Sequence, residues 1–237
     1  MTTFWNTLQE NLLFVLFCIG IVAGLAIISR LAEHFLPAIR KTTKARRVCI
    51  VAVCSAIATV LHILDFPLPF LAPGFYKLDF SELPVMLCGF FLGPSAAVSC
   101  EAVKILLKLL LKGTSTAFVG DFANFAVGCS LVLPAVIVYH TKKTRTSAVW
   151  GLIVGTAVLT VFGSLFNAVY LLPKFSQLYD LPLDSIISMG SAINGSIHTL
   201  PTFVLLAVAP LNLIKGISVS VLTLLLYKRV ARPLFNK

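Results

Sequence analysis

Apolar stretches of helical length recur along the whole chain, at about 11–36, 48–64, 82–93, 94–111, 117–139, 147–172 and 201–227. A helix needs about 20 predominantly apolar residues to cross the hydrocarbon core of a bilayer, and most of these stretches approach that length. The 82–93 stretch is short and is joined to the next only by Leu92-Gly93-Pro94. Hydrophobic residues make up 58% of the 237 and charged residues 12%, and mean hydropathy is +0.97, so a soluble fold would have too little polar surface to cover itself. The sequence predicts an all-α integral membrane protein with seven helices.

Lys and Arg number 19 against nine Asp and Glu. Their placement accounts for the excess. Arg30, Arg40, Lys41, Lys44, Arg46 and Arg47 follow the first stretch, Lys142, Lys143 and Arg145 the fifth, and Lys228, Arg229, Arg232 and Lys237 end the chain. Seven alternating spans put all three clusters on one side, which the positive-inside rule makes the cytoplasm. The C-terminus is then cytoplasmic and the N-terminus outside. The first ten residues hold no Lys or Arg, which argues against a cleaved signal peptide and for a retained helix at 11–36. Topology and anionic lipid account for the basic charge without nucleic acid.

Cys18, Cys49, Cys54, Cys88, Cys100 and Cys129 all fall within spans with no CxxC pair, and read as small buried apolar residues. His34, His62, His140 and His198 show no metal-ligand spacing. The chain carries no GxxxxGK[ST] phosphate loop, so it is not by itself an ATP-driven pump of that kind. No nucleophile sits beside a plausible base, which leaves nothing to support an intramembrane enzyme.

With the basic clusters inside, the connections at 65–81, 112–116 and 173–200 face outward, and two of them are long. The stretch DFPLPFLAPGFYKLDFSELP mixes four prolines with aromatics and acids, a stiff and partly apolar composition suited to closing over a cavity. The 173–200 connection allows a short helix after Asp184. Below these loops, Glu101, Lys104, Lys108 and Lys112 share one helix face at steps of three and four, as do Asp121, Asn124 and Gly128. Asn167 lies near the outer end of its span, and Asn212 and Lys215 share a face of the last. Glu101 with Lys104, and Asp121 with a lysine of the preceding helix, read as structural ion pairs, while Lys108 and Lys112 can snorkel to headgroups. A charged group deep in a span costs at least about 2.5–3.5 kcal/mol on insertion scales, so Lys215 needs a partner or a ligand. Polar groups converging from several helices beneath two long loops favour a ligand for Asn167, Asn212 and Lys215. Small residues four apart, at Gly20/Gly24, Ala52/Ala56 and Gly151/Gly155, allow close helix approach.

Taken together, KLDFSELP, GPSAAVSCEAVKILLKLLL, GDFANFAVG, FNAVYLLP and APLNLIKGISVSVLTLLLYKR resemble the riboflavin-specific S components of energy-coupling factor (ECF) transporters, from about Val48 to Arg229. The resemblance implies a six-helix S-component bundle at 45–237, preceded at 1–44 by one extra N-terminal transmembrane helix and a basic cytoplasmic linker. It implies a multi-pass protein of a bacterial cell membrane that captures riboflavin as transported substrate, with no cofactor and no catalytic residue. A separate transmembrane coupling subunit and two cytoplasmic ATPases would energise uptake, which accounts for the missing phosphate loop. Asp121 stands where the similar family stretch is expected to carry glutamate. By this resemblance Asn167 and Asn212 address the uracil-like edge of the flavin, Lys215 donates to ring oxygens or ribityl hydroxyls, and Tyr76, Leu78 and Phe80 close over the ring. Asn124 joins them, and either Asp79 or Glu101 neutralises Lys215. Ala52, Ser55 and Ala56 match positions that pack against the coupling subunit.

An S component for another vitamin is the nearest alternative; a cationic vitamin would favour an acid-rich pocket without a central lysine. A stand-alone secondary transporter would need an ion path, and the cytoplasmic halves of the spans carry almost no ionisable residues.

Overall fold

The computed structural model describes residues 2–36 and 42–235, with side chains described at 14–36 and 42–227. Its helices are α1 (Thr2–Phe35), α2 (Lys44–Ile63), α3 (Glu82–Leu92), α4 (Pro94–Lys112), α5 (Val119–Lys142), α6 (Arg145–Leu178), α7 (Leu183–Ser191) and α8 (200–235). Among the described residues, five helical segments are long and apolar enough to cross a membrane: Phe14–Phe35, Lys44–Ile63, Val119–Lys142, Arg145–Leu178 and Leu200–Tyr227. The two remaining expected spans differ for separate reasons. Helix α3 has 11 residues, about 16 Å at 1.5 Å per residue, and is enclosed by its neighbours rather than lipid-facing. Helix α4 is long enough but carries Glu101, Lys104, Lys108 and Lys112.

The chain passes back and forth, so the bundle has two unlike ends. Arg30, Arg46, Arg47, Lys142 and Arg145 belong to one, the basic end. Arg40 and Lys41 lie outside the described residues, as do the side chains of Lys228, Arg229, Arg232 and Lys237. The opposite, loop end carries the 64–81 connection, the 113–118 turn, and α7 with its flanking loops. A two-residue hairpin within 64–81 pairs β1 (Phe66–Pro67) with β2 (Lys77–Leu78), setting Phe66 opposite Leu78.

Packing in the basic half is dense and aromatic. Phe90 of α3 stacks on Tyr139 of α5 with ring centroids 4.3 Å apart, and the Tyr139 hydroxyl meets that of Tyr227. His140 sets its Nε2 3.0 Å from the Gly89 carbonyl. The α3–α4 reversal turns at Gly93, whose φ of 105° is open chiefly to glycine. Of the small-residue pairs, Gly151/Gly155 makes the closest approach: a Cβ at either would press on the carbonyl of Ala135 or of Leu131 in α5. Gly20 and Gly24 have open space around them, and Ala52 and Ala56 lie exposed on α2. Cys88, Cys100 and Cys129 are buried as expected, whereas Cys49 is exposed.

Candidate functional site

A cavity of about 350 Å³ opens at the loop end, at the lower margin of the roughly 300–1,000 Å³ usual for small-molecule sites. Its walls come from the end of α2, the 65–79 loop, the end of α4, the start of α5 and the loop-end halves of α6 and α8. Tyr76, Leu78, Asp79, Asn124, Asn167, Asn212 and Lys215, seven residues singled out from sequence, line this one space.

Two prolines explain how α6 and α8 present their asparagines. Helix α6 relaxes into a π turn over Asn167–Leu171, and α8 does so over Val204–Val208. Pro173 and Pro210 each stand four residues after a member of those turns, Val169 and Leu206, whose carbonyls a proline can neither bond nor approach in a regular α-helix. The wider turn absorbs the conflict, and such bulges often mark functional positions. Asn167 opens the α6 bulge; its Nδ2 donates to the Gly163 carbonyl at 2.7 Å, and its Oδ1 accepts from the Tyr76 hydroxyl at 2.8 Å. Burial pushes the Tyr76 phenol up, keeping it a donor. Asn212, one turn beyond the second bulge, lies against Gly163, where a Cβ would meet its amide. Its Nδ2 is buried with no hydrogen-bond partner among the described residues.

Beneath the asparagines lies a buried ionic network. Lys215 Nζ is 3.2 Å from Asp79 Oδ2 and 3.0 Å from Glu82 Oε1. Lys104, fully buried, lies 3.4 Å from the same Glu82 oxygen and 2.5 Å from Glu101 Oε1, and donates to Ser81 Oγ at 3.0 Å. His62 Nδ1 stands 3.4 Å from Asp79 Oδ2. Burial alone would raise the Asp79 carboxyl, but Lys215, His62 and Lys104 together hold it well below the usual carboxylate range. Removing one member of such a network strands a charge, at about 3–5 kcal/mol. Toward the rim, Lys108 pairs with the buried Asp121 at 2.5 Å, and the exposed Lys77 and Lys112 reach Asp65 at 3.3 and 3.5 Å. Gly113, at φ 72°, turns the chain there.

Glu101 pairs with Lys104 as read from sequence, and the lysine of the preceding helix that Asp121 takes is Lys108, so Lys108 is paired there rather than snorkelling to headgroups. Lys215 faces Asp79, and its second acid is Glu82, which sequence reasoning passed over inside the quoted KLDFSELP. Two expected site residues stand apart from the cavity lining. Phe80 packs on the core with its ring 6.0 Å from Phe66, and Glu101 turns toward Gly128 of α5. His62 lines the cavity unforeseen, because a lone histidine in an apolar stretch carries no spacing signal. On α2, Ser55 is buried and donates to the Cys100 carbonyl at 3.1 Å, so it faces α4 while Ala52 and Ala56 face outward.

A membrane bundle with a polar cavity under a loop cap and a densely packed opposite end has the form of a substrate-capturing subunit. Residues 46–227 match the family described as ECF transporter, substrate-specific component. The chain belongs to that family and is a multi-pass membrane protein. Among its relatives, the riboflavin transporter RibU of Staphylococcus aureus (strain TCH60) is 36% identical over 186 residues, covering 78% of this chain and 90% of that protein. The riboflavin transporter FmnP of Bacillus subtilis (strain 168) is 31% identical over 185 residues, covering 78% and 91%. A solved structure described as the S component of a bacterial ECF transporter superposes with a TM-score of 0.63 at 36% identity, covering 82% of this chain and all of that one.

Proposed function

We propose that this chain captures riboflavin at the outer face of a bacterial membrane and delivers it inward as the S component of an ECF transporter. The observation that carries the reading is the stretch of cavity wall where Asn212, whose buried Nδ2 has no hydrogen-bond partner among the described residues, stands beside the Lys215 ammonium. The pyrimidine edge of an isoalloxazine presents acceptors and one N–H donor. An asparagine amide answers both kinds of group and an ammonium answers the acceptors. Asn212 and Lys215 take the ring oxygens, Asn167 takes the N–H side, and Tyr76 and Leu78 cover the ring. Asn124, with the rim residues Lys108 and Asp121, lies where ribityl hydroxyls would emerge. Asp79 holds Lys215 in place before the vitamin arrives. Phe80 and Glu101 support the site from behind.

In this reading the loop end faces outward and the basic end faces the cytoplasm, following the positive-inside rule, so that the N-terminus is outside and the C-terminus inside. The bundle 45–237 is the binding unit and 1–44 an added helix with its linker. The outward faces of Ala52 and Ala56 meet the coupling subunit, and two ATPase subunits supply the energy. The protein binds and releases and catalyses no reaction, and riboflavin is cargo rather than cofactor. The direct test is ATP-dependent riboflavin uptake into proteoliposomes holding this chain with its coupling and ATPase subunits. Uptake lost on omission of this chain, and not inhibited by excess thiamine, supports the reading. Uptake that is equal without this chain contradicts it.

A further inference from the structure

Helix α1 lies outside the 46–227 family match, yet it packs on the back of the cavity wall. Phe14 and Phe17 contact two rings of that wall. Phe14 stacks on Tyr170 at 6.3 Å and meets Phe122 edge-on at 6.4 Å, and Phe17 lies 5.3 Å from Tyr170 and 6.1 Å from Phe122. Tyr170 belongs to the π turn that opens at Asn167, and Phe122 follows Asp121 at the start of α5. The apolar cluster holding Phe14, Cys18 and Ile21 also holds Ala123, Val127, Leu171 and Phe175, all four of which line the cavity. Tyr170 and Phe122 thus stand between α1 and a cluster whose other members line the cavity.

At the basic end, a polar tie fixes how far α1 slides along the bundle. Glu33 Oε1 accepts from the Ser95 backbone N–H at 3.0 Å and from Arg47 Nη2 at 3.1 Å, and the same guanidinium donates to Ser95 Oγ. That anchors α1 to the first turns of α2 and α4, and places Phe14 and Phe17 against the bulge. A π turn gives up regular helix geometry and holds its shape only where its surroundings impose it. Tyr170, which also keeps its hydroxyl buried without a partner among the described residues, supplies the contact surface.

We infer that α1 is a brace for the substrate site: the Phe14 and Phe17 rings, clamped on Tyr170 and Phe122, hold the Asn167 π turn in the geometry that receives the ligand. They are positioning residues that touch no ligand. The inference rests on the riboflavin reading for its affinity readout and on the fold alone for its exchange readout.

The test uses the full chain, purified in detergent, as wild type, the double variant Phe14→Ala/Phe17→Ala, and Leu25→Ala. Leu25 sits on the same helix but packs in a different cluster, with Val98, Ile105 and Phe125. Riboflavin affinity and ligand-free hydrogen exchange over 119–124 and 163–172 are both measured. The double variant is expected to speed exchange in those two segments and weaken binding about 3- to 30-fold, the range typical of coupling carried through packed side chains. Leu25→Ala is expected to leave both readouts at wild-type values while lowering the unfolding temperature. Tyr170→Phe, which keeps the ring, should bind as wild type. Unchanged exchange and affinity in the double variant would overturn the brace, as would equal losses in Leu25→Ala. Should the wild type not bind riboflavin, the functional reading fails and exchange alone decides the brace.

Discussion

Lys215 shows how one residue carries both stability and recognition. It is 9% exposed and sits between Asp79 and Glu82, so its ammonium is held before any ligand enters. Lys215→Ala is expected to weaken riboflavin binding about 10- to 100-fold, the loss of one hydrogen bond from a charged donor. It should also destabilise the ligand-free protein by about 3–5 kcal/mol, because two carboxylates lose a counter-charge. Asn212→Ala removes an amide whose Nδ2 has no partner among the described residues to strand, so it should lower affinity while leaving unfolding nearly unchanged. Titration and thermal unfolding of the two variants separate these outcomes. Asp79 gives a pH signature. Its folded pKa lies below the unfolded value of about 3.9, so its stabilisation is complete above that value and is lost as pH falls through the folded one. The stability difference between wild type and Asp79→Asn should not shrink between pH 8 and pH 5 and should shrink in stronger acid; a difference already shrinking at pH 6 would contradict the assignment. The sequence alone pointed to Asn167, Asn212 and Lys215, because polar groups in apolar spans stand out. It could not choose the acid facing Lys215, since Asp79, Glu82 and Glu101 reach the same neighbourhood from a loop and two helices. Glu82, the first residue of an apolar helix, carries no spacing signal of its own.

Among the elements, the sequence allows a short helix after Asp184, where α7 runs from Leu183 to Ser191, and the long apolar helices were legible from hydropathy. The π turns were not, because one extra residue in a turn barely alters an apolar pattern; their cause, Pro173 and Pro210, is visible only once the helices are known to continue through them. The shortness of α3 was legible but its enclosure was not: an enclosed helix and a membrane-crossing one are both uniformly apolar. Helix contacts sort the small-residue pairs that sequence treated alike. Gly155→Ala should destabilise the bundle by about 1–3 kcal/mol, since its methyl would meet the Leu131 carbonyl and the Ala135 side chain at the α5–α6 crossing. Gly20→Ala, with open space around it, should be neutral or slightly stabilising. Thermal unfolding in detergent compares the two directly, and equal effects would refute the packing difference.

The whole molecule is polarised: a ligand cavity under loops at one end, close aromatic packing and basic charge at the other. That arrangement suits a protein that receives its cargo at one face and depends on partners to deliver it. It predicts that binding and transport separate by mutation. Ala52→Trp, on the outward face of α2, should leave riboflavin affinity intact and abolish uptake in proteoliposomes that contain the full transporter. Loss of both would move Ala52 from the partner interface to the binding fold. The central claim, that the cavity beneath the 65–79 loop is a riboflavin site built on Asn212 and Lys215, is tested most directly by titrating the purified, ligand-free protein with riboflavin and following flavin fluorescence. The account predicts saturable 1:1 binding that is weakened in both Asn212→Ala and Lys215→Ala. A folded preparation that leaves flavin fluorescence unchanged, or binds equally well without those two side chains, would contradict it.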